Sequence, residues 1–446
     1  MNPVVIVGGG LSGLSAGVGL SARGIPVVLL EQRPALGGRA YSLKDEKTGD
    51  IIDNGQHVLI AGYPRTMHFL ETIGTRDRLA IQSLPTLTFH HPEKKFRTFR
   101  LADLPSPMHL LGGILMTDLF SPRDKLRVLR AGLALRTIRT DGDDEISRLT
   151  IEQWLDSVGQ SKETKRSFWE PLAVSIMNEH LGIASAAVFI RSLQSAFLDD
   201  PRGAALAIPT VGLSELYVDP ARALIERHGG IIRCRADVVE SIARDGRVVA
   251  VRLREGGTIG CAALVLAVPP WKAPSLLPDD LRQSGFLAQV ESLTSSPIVS
   301  LHLWFAIDFM QHDVLGVIGR RIQWVFNKRH VDRGKGSHVS VVISAAHAFV
   351  ELTNEELTAA ACEDLRVIYG PAVGTPTHAM VIREKRATFS CTPAMERIRP
   401  GPTTPIPNLF LAGDWTATGY PATIESAIVS GERCVHLAAE CVSAPE

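Results

Sequence analysis

VVIVGGGLSG at residues 4–13 and VVLLE at residues 27–31 decide the fold of this chain. A short apolar run that stops at glycines reads as a buried strand entering a tight turn. The residues from Leu11 onward have the length of a helix before the second apolar run ends in an acid. Strand, glycine turn, helix and acid-tipped strand together make the dinucleotide-binding βαβ unit. Each residue type has a physical task. Gly8 permits the turn, Gly10 lets the backbone approach a pyrophosphate, and Gly13 lets the helix pack closely on the strand. Free N–H groups at the helix N-terminus then face the anion. Glu31 stands eighteen residues after Gly13, near the spacing of about twenty at which an acid meets a ribose hydroxyl. GxGxxG alone is weak evidence, but both strands and the acid accompany it here.

At 446 residues the chain exceeds what one hydrophobic core usually holds, so two lobes are expected. Its 47 basic residues balance 47 acidic ones, so no global charge argues for nucleic acid. Six cysteines, at 234, 261, 362, 391, 434 and 441, form no CxxC pair and no metal-ligand spacing. That pattern fits a reducing, cytoplasmic compartment and argues against a bound metal. Residues 1–20 lack the basic start of a signal peptide and are explained by the strand and turn. No uninterrupted run of eighteen apolar residues suggests a spanning helix.

After Glu31 comes a second glycine turn, LGGRA at 36–40, which adds backbone donors and the Arg39 guanidinium for a diphosphate. Residues 51–63 read as a strand pair broken at Asn54-Gly55, and 236–255 as a β-hairpin turning at Asp245-Gly246. Ala263 to Val268 reads as a buried strand stopped by Pro269-Pro270. Asn408 to Ala412 reads as another, and Ile424 to Leu437 has helical spacing. The expectation is an α/β (α+β two-domain) protein. A Rossmann-type domain is assembled from the discontinuous segments 1–63, 201–271 and 401–446, and a substrate-binding lobe from 64–200 and 272–400.

GGGLSG with Glu31, LGGRA, LVLAVPP at 264–270 and LFLAGDWTATGYPATIESAIVSG at 409–431 resemble the FAD-dependent amine oxidase and carotenoid desaturase superfamily, along essentially the whole chain. NGQHVLIAGYPRTMHFLETIG at 54–74 is similar to plant-type carotenoid desaturases. SFWEPLAVSIMNEHLGIASAAVF at 167–189 most resembles the squalene-associated branch, whose best-described activity is hydroxysqualene dehydroxylation. The resemblance implies FAD as cofactor. It implies that Gly8, Gly10, Ser12, Gly13 and the Gly38-Arg39 turn hold the diphosphate, Glu31 the adenosine ribose and the Val238 backbone the adenine edge. Gly55, Gln56 and His57 would lie beside the isoalloxazine, and Gly413 and Asp414 beside the ribityl–diphosphate region. The Thr423-Ile424-Glu425 backbone would face the pyrimidine end, where a helix starting near Ile424 directs its positive dipole end at charge gained on reduction. For Arg39 and Asp414, a surface salt bridge and a plain turn aspartate are the competing readings.

No second glycine fingerprint is present, so electrons pass to or from a partner other than stably bound NAD(P)H, whose identity is open. Reductive loss of an allylic hydroxyl needs a dry apolar tunnel and a proton donor. His57, which titrates near neutrality, and Glu170, between Trp169 and Pro171, are the candidate catalytic residues. Asp53, Asn178 and Glu179 are weaker ones, and a purely structural role competes for all five. MHLLGGILMTDLF at 108–120 precedes RDKLRVLRAGLALRTIR at 123–139, with five arginines and one lysine against one aspartate. An apolar segment beside a basic helix suits peripheral contact with an anionic membrane; a solvated basic face is the alternative. A carotenoid-type desaturase running the flavin in the oxidising direction, an amine oxidase and a flavin-binding protein without a reaction are the other readings of the chain.

Overall fold

The computed structural model describes residues 2–140, 145–198, 200–286, 288–329, 331 and 336–443. Residues 1, 141–144, 199, 287, 330, 332–335 and 444–446, which fall inside the expected segments, lie outside it. The elements that position the site are, in order, β1 (Val4–Val7), α1 (Leu11–Ser21), β2 (Val27–Glu31), α2 (Pro64–Ile73), α3 (Met108–Met116), α4 (Pro122–Leu135), α5 (Glu170–Met177) and α6 (Ala186–Phe197). They continue with β3 (Ile231–Cys234), β4 (Val238–Arg244), β5 (Arg247–Leu253), β6 (Ala263–Leu266), β7 (Ser295–Phe305), β8 (Trp324–Asn327), β9 (His378–Phe389), β10 (Leu409–Leu411) and α7 (Ile424–Ser443).

A five-stranded parallel sheet runs in the order β3-β2-β1-β6-β10. Parallel strands covered on both faces read as continuous apolar runs, and β1, β2, β6 and β10 are buried at every position. Alternate residues serve opposite cores. Val4 and Ile6 pack with Leu14, Ile225 and Ile428, whereas Val5 and Val7 share a cluster with Val248, Val251 and Leu266. The β4–β5 hairpin supplies that second cover. Its turn residues Asp245 and Gly246 both have positive φ, at 51° and 72°, as the expected two-residue hairpin requires.

Helices α1 and α7 cross so closely that Ser15 Oγ donates to the Ile428 carbonyl at 3.1 Å. At Gly431 a Cβ would lie 2.4 Å from the Ser12 carbonyl oxygen. The second large sheet has seven strands, drawn from residues 86–100 and 295–389. Its strands are antiparallel except where 314–317 runs parallel to 86–91.

One expected pairing is corrected. Ile51–Asp53 and Leu59–Ile60 do not pair with each other: the first pairs with Ser42–Lys44 and the second with Leu206–Pro209. Asn54 explains the divergence. Its side-chain amide donates to the Arg39 carbonyl at 2.9 Å and its Oδ1 accepts from the Tyr41 N–H at 3.3 Å, which ties the segment to the second glycine turn.

Because the α1–α7 crossing has no room for a side chain, Gly431→Ala should cost about 1–3 kcal/mol in urea unfolding. Gly132, inside α4 with nothing within 4 Å of its virtual Cβ, provides the contrast. Gly132→Ala should leave stability unchanged or raise it by about 0.5–1 kcal/mol.

Candidate functional site

The main cavity lies where the C-terminal ends of the parallel strands meet the seven-stranded sheet. Its wall includes Val7, Gly8, Leu30 and Glu31 on one side and Ile298, Ser300, Trp324 and Phe326 on the other. Ligands of open α/β sheets bind at such carboxyl ends. At this end Gly10, Ser12, Gly38, Arg39, Val238, Gly413 and Asp414 also line the wall.

The phosphate cradle follows from backbone geometry. Gly8 has φ 110°, and a Cβ there would sit 2.2 Å from the Ala267 carbonyl oxygen. A Cβ on Gly13 would sit 2.0 Å from the Gly8 oxygen, so Gly13 serves packing and is not itself in the wall. Gly10 is different. Its virtual Cβ meets nothing closer than Gly38 Cα at 3.9 Å, and as the N-cap of α1 it brings no side-chain cap. The first N–H groups of α1 therefore open onto space, the form an anion site takes.

Glu31 lines the end of the cavity where the ribose is expected. Its two oxygens accept from the Gly9 N–H at 2.7 Å and the Arg33 N–H at 2.8 Å, which leaves further lone pairs for hydroxyls. Arg39 donates to Asp414 Oδ1 and to the Ala387 carbonyl, both at 2.6 Å. Burial alone would lower the Arg39 pKa, but the Asp414 carboxylate more than offsets it and holds the guanidinium charged. The salt bridge considered for Arg39 thus exists, inside the cavity and between two expected cofactor residues.

The GDWTATGY loop that carries Asp414 is held from behind by Arg399, a residue not foreseen from sequence. Arg399 is 6% exposed and donates to the carbonyls of Asp414 (3.0 Å), Trp415 (3.2 Å), Thr416 and Tyr420 (2.9 Å) and to Glu396 Oε2 (2.7 Å). An arginine between Ile398 and Pro400 gives no local signal of this; only a loop of inward carbonyls needs its fan of donors.

Gly55, Gln56 and His57 line the middle of the cavity, opposite Thr423 and Ile424 at the start of α7. Thr423 Oγ1 accepts from the Ser426 N–H at 3.1 Å, so the N–H groups of Ile424 and Glu425 are left without intrahelical acceptors. The Glu425 side chain turns away from the cavity. Its carboxylate accepts from Thr66 N–H (2.8 Å), Thr66 Oγ1 (2.6 Å) and Arg65 N–H (3.1 Å), capping α2.

The candidate acids separate. His57 is in the wall, and burial pushes its pKa down, with Asp53 acting against that and Lys328 with it. Glu170 is not in the wall. Phe168, Leu172, Ser175 and Ile176 form the cavity face there, while Glu170 lies exposed on the far side. A π-helical turn at Lys165–Trp169 leads into α5. Among the weaker candidates, Asn178 lines the wall and bonds to Ser296, Thr388 and Ala345, and Glu179, outside the wall, accepts from Ser390 Oγ at 2.6 Å. Both hold elements together. Two phenols missed as a pair, Tyr63 and Tyr420, also line the cavity; burial and the nearby Glu425 push the Tyr63 pKa up, keeping it neutral.

Beyond the polar end the walls become apolar: Leu87, Phe89, Phe168, Leu172, Trp324 and Phe326 enclose a greasy chamber. Among the described residues no group of three or more His, Cys, Asp or Glu side chains could hold a metal ion.

Comparison with known proteins matches this architecture. The family profile described as "Flavin containing amine oxidoreductase" covers residues 11–438. The chain is 31% identical over 441 residues to a hydroxysqualene dehydroxylase of Sinorhizobium fredii, spanning 98% of both chains. It is 25% identical to a 15-cis-phytoene desaturase of Synechococcus elongatus, over 96% of this chain and 94% of that one. An oxidoreductase structure from Methanosarcina mazei superimposes with a TM-score of 0.77 at 17% identity, covering 97% of this chain and all of that one. That likeness is one of fold.

The second glycine turn brings the Arg39 guanidinium to the cavity end where the diphosphate is expected. Losing a charge-assisted hydrogen bond costs about 1.5–3 kcal/mol. Arg39→Met should therefore raise the Kd for FAD by about 10- to 100-fold, read by flavin fluorescence on titration of the apoprotein.

Proposed function

The chain belongs to the flavin containing amine oxidoreductase family and is an FAD-dependent oxidoreductase, and from that premise we propose that it reduces hydroxysqualene to squalene, in squalene and hopanoid biosynthesis. The observation that carries the reading is the apolar chamber continuous with the cofactor end of the cavity, supported by near-complete alignment with a hydroxysqualene dehydroxylase. When bound, reduced FAD supplies a hydride, and the protein supplies position and dryness.

The chain's own residues do the rest. Phe89, Phe168, Leu172 and Trp324 exclude water around an allylic cation left when the substrate hydroxyl departs. The departing oxygen takes a proton at the polar rim, where the neutral Tyr63 phenol, Tyr420 and His57 line the wall. His57, kept neutral by its lowered pKa, serves this rim as a hydrogen-bonding group. The diphosphate is held by the α1 N-terminus and Arg39, and the pyrimidine end of the flavin by the N–H groups that open α7. A desaturase acting on a carotenoid precursor is the second reading, favoured by the similarity to a 15-cis-phytoene desaturase.

The protein works in the cytoplasm, in peripheral contact with the cytoplasmic membrane. No helix among the described residues is long and apolar enough to cross a membrane. Met116 is 81% exposed, Leu126 68%, Leu133 67% and Leu115 53%, on α3 and α4 among the exposed Arg123, Arg127, Arg130 and Arg136. Buried apolar area plus attraction to anionic lipid is what binds such surfaces. The start of α3 also abuts the chamber: Ser106 Oγ donates to the Leu198 carbonyl at 3.2 Å, next to the wall residue Phe197. A substrate dissolved in the bilayer then has a short path to the chamber.

Reduced holoprotein incubated anaerobically with hydroxysqualene should yield squalene, and oxidised holoprotein with phytoene should yield no desaturated product, both read by gas or liquid chromatography. The reverse pattern would move the assignment to the desaturase reading. The wild-type protein should co-sediment with vesicles containing phosphatidylglycerol but not with pure phosphatidylcholine. Leu115→Ser/Met116→Ser should lose about tenfold or more of that binding, as expected from withdrawing two large apolar side chains. Equal binding to both vesicle types, or none to either, removes the membrane assignment.

A further inference from the structure

Behind the middle of the cavity wall, just past β8, lies a lysine with no part in the reading above. Lys328 is 1% exposed, and its ammonium donates to Asp53 Oδ2 at 3.2 Å and to Gln56 Oε1 at 3.0 Å. Asp53 is 2% exposed, and its other oxygen accepts from Ser42 Oγ at 2.7 Å and the Leu213 N–H at 3.0 Å. A buried ion pair is a weak source of stability, because apolar residues of similar volume do as well. Its direction is more informative than its existence. The carboxylate is anchored on Ser42 and Leu213, whereas the ammonium reaches the Gly55–His57 stretch of the wall.

Gln56 is the link. An ammonium has donors and no acceptor, so the contact commits the Gln56 carbonyl oxygen to Lys328. The amide NH2 at the other end of the same planar group is then turned from Lys328 toward the cavity that Gln56 lines. The neighbouring His57 feels both members of the pair, Asp53 raising its pKa more than Lys328 lowers it. We propose that Lys328 is a positioning residue: by holding the Gln56 carbonyl oxygen it fixes the Gln56 amide as a hydrogen-bond donor toward the bound flavin, and that donor biases the flavin toward its electron-rich reduced form. A fixed donor aimed at a group that gains negative charge favours the charged state. The proposal rests on flavin occupying the middle of the cavity and is independent of which isoprenoid is turned over.

The test is a spectroelectrochemical titration of FAD-loaded protein with no substrate present. Lys328→Met/Asp53→Asn removes both charges together, so neither is left buried alone. It should shift the flavin midpoint to more negative potential, a change on the order of tenfold in the reduced-to-oxidised ratio at fixed potential. Gln56→Glu replaces the amide donor with a carboxylate that neutralises Lys328, and should shift the midpoint the same way. A folded, flavin-loaded double variant with the wild-type midpoint overturns the proposal. If that variant fails to load flavin, an unchanged midpoint in Gln56→Glu overturns it equally. Wild-type protein that takes up no flavin would show no visible absorbance, and that failure belongs to the proposed function.

Discussion

Backbone packed directly on backbone, with no side chain between, is the constraint on which the rest of this molecule depends. Gly8 lies against the carbonyl that follows β6, Gly13 against Gly8, and Gly431 against the first turn of α1. Protein interiors are close-packed, and a single extra methyl at such a point must displace main chain. The three contacts bring segments more than four hundred residues apart in sequence to one place. The open N-terminus of α1 has a separate source in Gly10, which brings no side chain to the space beside it.

Charged side chains then hold what the glycines bring together. Arg39 reaches Asp414 across 375 positions, Glu425 caps α2 across 359, and Lys328 reaches Asp53 across 275. All of these groups are partly or wholly buried, where an unpaired charge costs several kcal/mol. They are therefore better read as devices for register than as sources of stability. Arg399 is the clearest instance, since its donors are spent on the carbonyls of a loop whose own hydrogen bonds could not otherwise be satisfied.

What could be read from sequence was what is local. The βαβ unit, the hairpin at Asp245-Gly246, the strands at 263–268 and 408–412 and the C-terminal helix each announce themselves by period and turn residues within about twenty positions. Gly8, Gly10 and the acid of that unit come together in the cavity wall, since their spacing lies within the unit. The flavin segments at 55–57 and 413–425 came from resemblance. The misreadings share a cause. The strands within 51–63 found partners elsewhere because Asn54 is engaged with the second glycine turn, which is a tertiary choice. Glu170 lost its place because the helix turns its Phe168, Leu172 and Ile176 face to the cavity, also a tertiary choice. Lys328 and Arg399 gave no local sign, since their meaning lies entirely in distant partners.

Glu425 has a consequence for how the holoprotein comes into being. The turn of α7 that offers its N–H groups to the cavity also carries the carboxylate that completes α2, near the other end of the chain. During synthesis, which proceeds from the N-terminus, the early βαβ unit emerges long before its closing helix. Until residues near 430 exist, α2 lacks its cap, the sheet lacks β10 and the cavity lacks the wall contributed by Gly413 to Ala427. A complete cavity for the flavin therefore follows elongation through α7.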